Sequence, residues 1–236
     1  MISSSSHGAR FSALGYLYQS QWPLVELLRR AADEPDAAVT IELHDDVAWE
    51  QDGTPTELLQ VKHHVNARRA LGDKDDDIWR TIRSWMDAHR AGDVAGPTLI
   101  IVTTASAADG SAAAALRPGE ARDHEAARQL LEVAALESTA TGTADVRHRF
   151  LELPEADRRA FVSRILVLDA QPTVGDELDV ELRRALYFVL PQGNETIFVE
   201  QLWGWWHRVV VELLRRTRGT ISALDLKAKI DDLRNS

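Results

Sequence analysis

From Phe11 to about Ala32 the apolar residues Leu14, Leu17, Tyr18, Trp22, Val25 and Leu28 recur at three- and four-residue steps. That spacing predicts an amphipathic helix, kinked or divided at Pro23. The period then changes. In "AVTIEL" Val39, Ile41 and Leu43 alternate with Thr40, Glu42 and His44, which predicts a strand, and "DVAW" resumes in β-favouring residues after two aspartates. Asp52-Gly53 is a hairpin signal, so the following "TELLQVKHH" is expected to pair antiparallel with the run before it. In "IWRTIRSWMDAHRAG" Ile78, Ile82, Trp85 and Met86 fall on one helical face, with Asp77 placed to cap the start and Gly92 the end. "PTLIIVTTA" is a continuous β-branched run and predicts a fully buried strand.

Beyond residue 105 the pattern is different. Ala, Gly and Ser dominate from Ala105 to Gly119, which predicts an exposed loop. Helices are expected over 121–138, 154–167, 176–190 and 198–217, with a last one from about Ala223 to Arg234. The segment "FVEQLWGWWHRVVVELLRR" is apolar around most of its circumference and is expected to form the buried centre of the C-terminal half, its tryptophans packing the core. The chain therefore divides into an α/β core over 1–105 (helix, three-stranded meander, helix, strand) and a helical region over 106–236 packed on that core.

Composition narrows the function classes. The chain has 236 residues, 44% of them hydrophobic and 27% charged, as in a folded globular protein. No run approaches the roughly 18 to 20 apolar residues that span a bilayer, and "MISSSSHGAR" lacks the basic and apolar regions of a signal peptide, so a cytoplasmic, membrane-free protein is expected. With no cysteine there is no disulfide framework, thiolate zinc site or thiol nucleophile. A net charge of −10 argues against a generically basic nucleic-acid binder. Local basic groups at Arg29-Arg30, Lys62-His63-His64, Arg68-Arg69, Arg80 with Arg83, and Arg215-Arg216 with Arg218 still offer contacts to phosphate. There is no G-x-x-x-x-G-K-[ST] phosphate loop and no G-x-S-x-G elbow.

The chemistry gathers on the hairpin. Strand residues two apart share a face, so Gln60 and Lys62 project together, opposite Leu59 and Val61. Asp46 opens the preceding strand at a distance compatible with meeting Gln60 across the turn. The Asp46 carboxylate, the Gln60 amide oxygen and the Val61 carbonyl make an oxygen-only set suited to Mg2+, or Mn2+ in its place. Lys62 beside such an ion would orient or help deprotonate a water and stabilise charge on a phosphate. A further carboxylate is expected to complete the set, with Glu26 on the first helix the first choice and Glu42 and Asp45 its competitors. His44, His63 and His64 suggest a transition-metal site, but neighbours on a strand point to opposite faces.

The element order with "GYLYQ" (15–19), "IELHDDV" (41–47), "LLQVKHH" (58–64) and "DIWRTIRSW" (77–85) resembles the restriction-endonuclease-like PD-(D/E)xK nuclease superfamily. Within it the chain is most similar to the nuclease domains of CD-NTase-associated effectors in bacterial anti-phage defence. The resemblance implies metal-dependent cleavage of double-stranded DNA, with Asp46, Gln60 and Lys62 at the matching site positions and Gln19 as an accessory residue. It also implies a joined sensor domain or partner subunit, so the chain is expected to be a portion of a longer protein or one subunit of a complex; a homo-oligomer is expected because a duplex has two strands and each such site cuts one. Two positions depart from the superfamily pattern: Gln60 stands where an acid is usual, and Asp45 where a proline is usual. The alternative is a non-catalytic nuclease-like DNA-binding or oligomerisation module, which failure of Asp46 and Lys62 to converge would indicate.

Overall fold

The computed structural model describes residues 4–64, 70–88, 92–93 and 95–235, with side chains described from residue 10 onward except that of residue 11. Arg68 and Arg69 lie outside these residues. In chain order the elements begin with α1 (Ser4–Arg30), β1 (Ala38–Ile41), β2 (Val47–Gln51) and β3 (Thr54–Lys62). Next come β4 (Ala70–Leu71), α2 (Asp76–Ala88), β5 (Thr98–Thr103), β6 (Ser106–Ala107), α3 (Ala112–Ala115), α4 (His124–Glu137), α5 (Ala144–Glu152), α6 (Glu155–Ser163) and β7 (Ile165–Leu168). The chain closes with α7 (Asp176–Ala185), α8 (Glu195–Leu214), β8 (Ile221–Ser222) and α9 (Ala223–Arg234). The expected order of helix, meander, helix and strand over the first hundred residues is present, with the two-residue β4 added. The expectation of an all-helical C-terminal part is corrected by β6, β7 and β8, so the fold is mixed α/β.

The elements group into two compact units, one of Met1–His63 with Pro172–Ser236 and one of His64–Gln171. In the first unit β3, β2, β1 and β8 pair in that order, each antiparallel to its neighbour. Asp52 and Gly53 both take positive φ, 51° and 74°, and Gln51 pairs with Thr54, so the β2–β3 connection is the two-residue turn the sequence predicts. The helix α1 runs through Pro23 undivided. Its second half is held by burial of Tyr18, Trp22, Leu24, Val25 and Leu27, and this packing outweighs the one hydrogen bond that proline removes. Helix α8 buries Phe198, Val199, Leu202, Trp206, Val209, Val210 and Leu213 but exposes Gln201, Gly204, His207 and Arg208, so it is buried on one face and not all round. Of its tryptophans Trp206 is fully buried and donates its indole N–H to the Ser20 carbonyl at 2.7 Å.

In the second unit β5 pairs parallel with β7, and β4 parallel with β6. The strand β5 is buried as its β-branched composition predicts. Residues 154–167, expected as one helix, are α6 followed by β7. The run "ILVL" is β-favouring and continuous, and its pairing with Leu99–Val102 prevails over the helical period. The expected exposed loop of 105–119 instead carries β6 and α3, with Ala107, Ser111, Ala112, Ala113 and Leu116 buried, because small side chains suit close packing as well as loops. The cap of α2 is Asp75, whose carboxylate accepts the Asp77 N–H at 3.0 Å; Asp77 is the second residue of the helix and lies 3.2 Å from His64 Nε2.

Candidate active site

The hairpin register sets the site. Val47 pairs with Leu59, so one step beyond the last pair Asp46 stands across from Gln60. The Asp46 carboxylate accepts the Val61 backbone N–H at 2.9 Å, and the Lys62 ammonium donates to the Gln60 amide oxygen at 2.8 Å. The opposite end of that amide, Nε2, donates to Asp45 Oδ1, which also accepts the Asp46 N–H at 2.9 Å. Thus Asp46 meets the backbone of β3, and Asp45 is the acid that meets the Gln60 side chain.

Local backbone geometry delivers these acids. Strand β1 stops at Ile41 because Glu42 adopts a left-handed conformation, φ 55°, and its N–H returns to the Asp46 carbonyl at 3.1 Å. The chain from Glu42 to Asp46 is therefore a closed loop presenting three carboxylates. From α1, Gln19 Nε2 donates to Glu42 Oε1 at 2.7 Å and to the Asp46 carbonyl at 3.2 Å. Gln19 and Gln60 are each only 8% exposed, so their amides are held by protein partners and little by water.

Burial pushes the Asp46 carboxyl up to about 6, opposed by the Lys62 charge and the Val61 N–H and reinforced by Asp45 and Glu42. A desolvated acid among other acids is a place where positive charge is missing. The oxygens of Asp46, Glu42, the Gln60 amide and the Val61 carbonyl fit a hard divalent cation in type. Among the described residues no three His, Asp or Glu side chains are grouped to hold a metal ion, so the set on offer is a mixed one of acids, amide and carbonyl.

The first-choice acid on α1 is placed elsewhere. Glu26 lies 3.2 Å from Arg30 and 3.7 Å from Arg29, and Arg30 also donates to Glu57 at 2.8 Å while stacking 4.3 Å over Trp49. Seven residues separate Glu26 from Gln19, about 10 Å along a helix. The histidines are dispersed as well: His44 lies 2.8 Å from Glu50, His63 packs on Tyr18 at 5.2 Å, and His64 lies beside Asp77. Several basic groups are engaged by acids, Arg29 with Glu181, Arg80 with Asp76, Arg83 with Asp145 and Arg218 with Glu212. Arg215 and Arg216 are exposed.

Among the described residues no helix is long and apolar enough to cross a membrane. No curated protein matches the chain. Residues 8–84, a stretch that runs from α1 into α2 and contains Gln19, Glu42, Asp45, Asp46, Gln60 and Lys62, match the family model of the Cap4 dsDNA endonuclease domain.

Proposed function

We propose that this chain is a metal-dependent endonuclease that cleaves double-stranded DNA as the effector of a bacterial anti-phage defence system, with a restriction-endonuclease-like core over residues 1–105. The observation that supports the reading is that Asp46 stands across from Gln60 at one end of the β2–β3 hairpin, its carboxylate on the Val61 N–H and Lys62 held by Gln60, inside the stretch that matches an endonuclease family. Asp46, Gln60, the Val61 carbonyl and Glu42 would hold Mg2+ or Mn2+. When bound, such an ion supplies a Lewis acid for the scissile phosphate and a lowered pKa for a water. Lys62, held by Gln60, orients the attacking water and neutralises charge as it develops on the phosphate oxygens. Gln19 keeps the Glu42–Asp46 loop in place for that work.

A duplex has two strands and each such site cuts one, so the working form is a homo-oligomer, with a sensor domain or partner subunit supplying the trigger in the cytoplasm. The test is incubation of supercoiled plasmid with protein and Mg2+, with and without EDTA, beside Lys62→Ala. Cutting is expected only with free metal, and to fall by about 100-fold or more in the variant. Undiminished cutting by Lys62→Ala, or cutting in EDTA, overturns the reading.

A further inference from the structure

The Gln60 amide is joined at both ends, and only one of those contacts belongs to the chemistry proposed above. Lys62 has donors alone, so it requires the amide oxygen. A primary amide turned end for end would set its NH2 against the ammonium and its oxygen against the Asp45 carboxylate, two like-with-like contacts. With Gln60 only 8% exposed, water is poorly placed to relieve them. The amide is held the right way round by an acceptor on its far side, Asp45 Oδ1, which the Asp46 N–H anchors at 2.9 Å.

We propose that Asp45 is a positioning residue whose carboxylate oxygen orients the Gln60 amide so that its oxygen faces and holds the Lys62 ammonium. The proposal rests on the endonuclease reading for its consequence in cleavage, but its geometry stands apart from it. It separates two roles for Asp45. As an acceptor it is replaceable by an amide oxygen of equal reach, and as a source of negative charge it is not.

Two readouts test it in the full chain: plasmid cleavage with Mg2+, and NMR solvent exchange of the Gln60 side-chain amide protons, assigned by their loss in Gln60→Met. Asp45→Ala is expected to slow cleavage and to speed amide exchange, each about tenfold or more, while Asp45→Asn stays within about threefold of wild type on both. In a Gln60→Met background Asp45→Ala is expected to add no further loss of cleavage, since its partner is already gone. Exchange in Asp45→Ala equal to wild type overturns the proposal. So does an Asp45→Asn as impaired as Asp45→Ala, or a full additional loss in the Gln60→Met background. A wild type that does not cut under any metal condition bears on the endonuclease reading and its trigger alone, and the exchange comparison then decides the role of Asp45.

Discussion

Gln19 and Glu42 meet across 23 residues of sequence in a 2.7 Å hydrogen bond, and the same Gln19 nitrogen reaches the Asp46 carbonyl. One buried amide on α1 therefore fixes both ends of the acid-bearing loop. Gln19→Ala is expected to cost about 1 kcal/mol of stability, the net worth of a lost hydrogen bond, and to slow plasmid cleavage about tenfold by loosening the loop. Urea unfolding and cleavage rates on the same preparation check it; a slower rate without a change in stability assigns Gln19 to the chemistry instead.

The two acids Glu42 and Glu26 are separated by the same logic. Glu42 belongs to the loop, whereas Glu26 belongs to the Arg29 and Arg30 cluster. Glu42→Gln is expected to reduce Mg2+-dependent cleavage about tenfold or more, and Glu26→Gln by less than about threefold with a small stability loss. Rates measured over a Mg2+ titration distinguish the two, and the reverse order would return Glu26 to the site.

Asp46 makes stability depend on pH. Its folded pKa of about 6 lies above the ordinary carboxyl value of 3.8, so the native state holds a proton that the unfolded chain releases between these values. The stabilisation is complete below about pH 4 and is lost as pH rises through 6. At pH 8 the charged carboxyl is a penalty that Asp46→Asn removes while still accepting the Val61 N–H. The variant is expected to be more stable than wild type there by about 1–3 kcal/mol in metal-free buffer, and equal to it near pH 4. Thermal melts across that range check it, and a variant less stable at pH 8 contradicts the assignment.

The hairpin that aligns the site depends on its turn. Gly53 sits at φ 74°, where a β-branched side chain is strained. Gly53→Val is expected to cost about 1–2 kcal/mol. Urea unfolding reads the loss, and cleavage measured at matched folded fraction reads any slip of the Asp46–Gln60 register.

Much of this site was legible in the sequence because a hairpin is local. The Asp-Gly turn and the alternation on both sides set the register, and the register brings Asp46 to Gln60 and Val61. What sequence did not decide was which of two adjacent acids meets the amide, since that depends on the left-handed turn at Glu42 and on an N–H that anchors Asp45. Glu26 was misplaced for a related reason. Its position on a polar helix side was visible, but not that Arg30 would stack on Trp49 and draw it away. Strand β7 was missed because its partner lies more than sixty residues earlier, a pairing that no local period announces. That Asp45 and Gln60 are joined by a hydrogen bond is announced by neither position alone.

The unit that carries the site is completed by its second segment, Pro172–Ser236. Val39 pairs with Ile221, the Ala223 N–H reaches the Ala37 carbonyl, and Trp206 binds the Ser20 carbonyl. A ribosome that has completed residues 1–63 has thus made every acid of the cluster but neither the last strand of their sheet nor the tryptophan that braces α1. Completion of this unit therefore waits until residues 206–223 have been synthesised, so its folding is governed by contacts of long sequence separation.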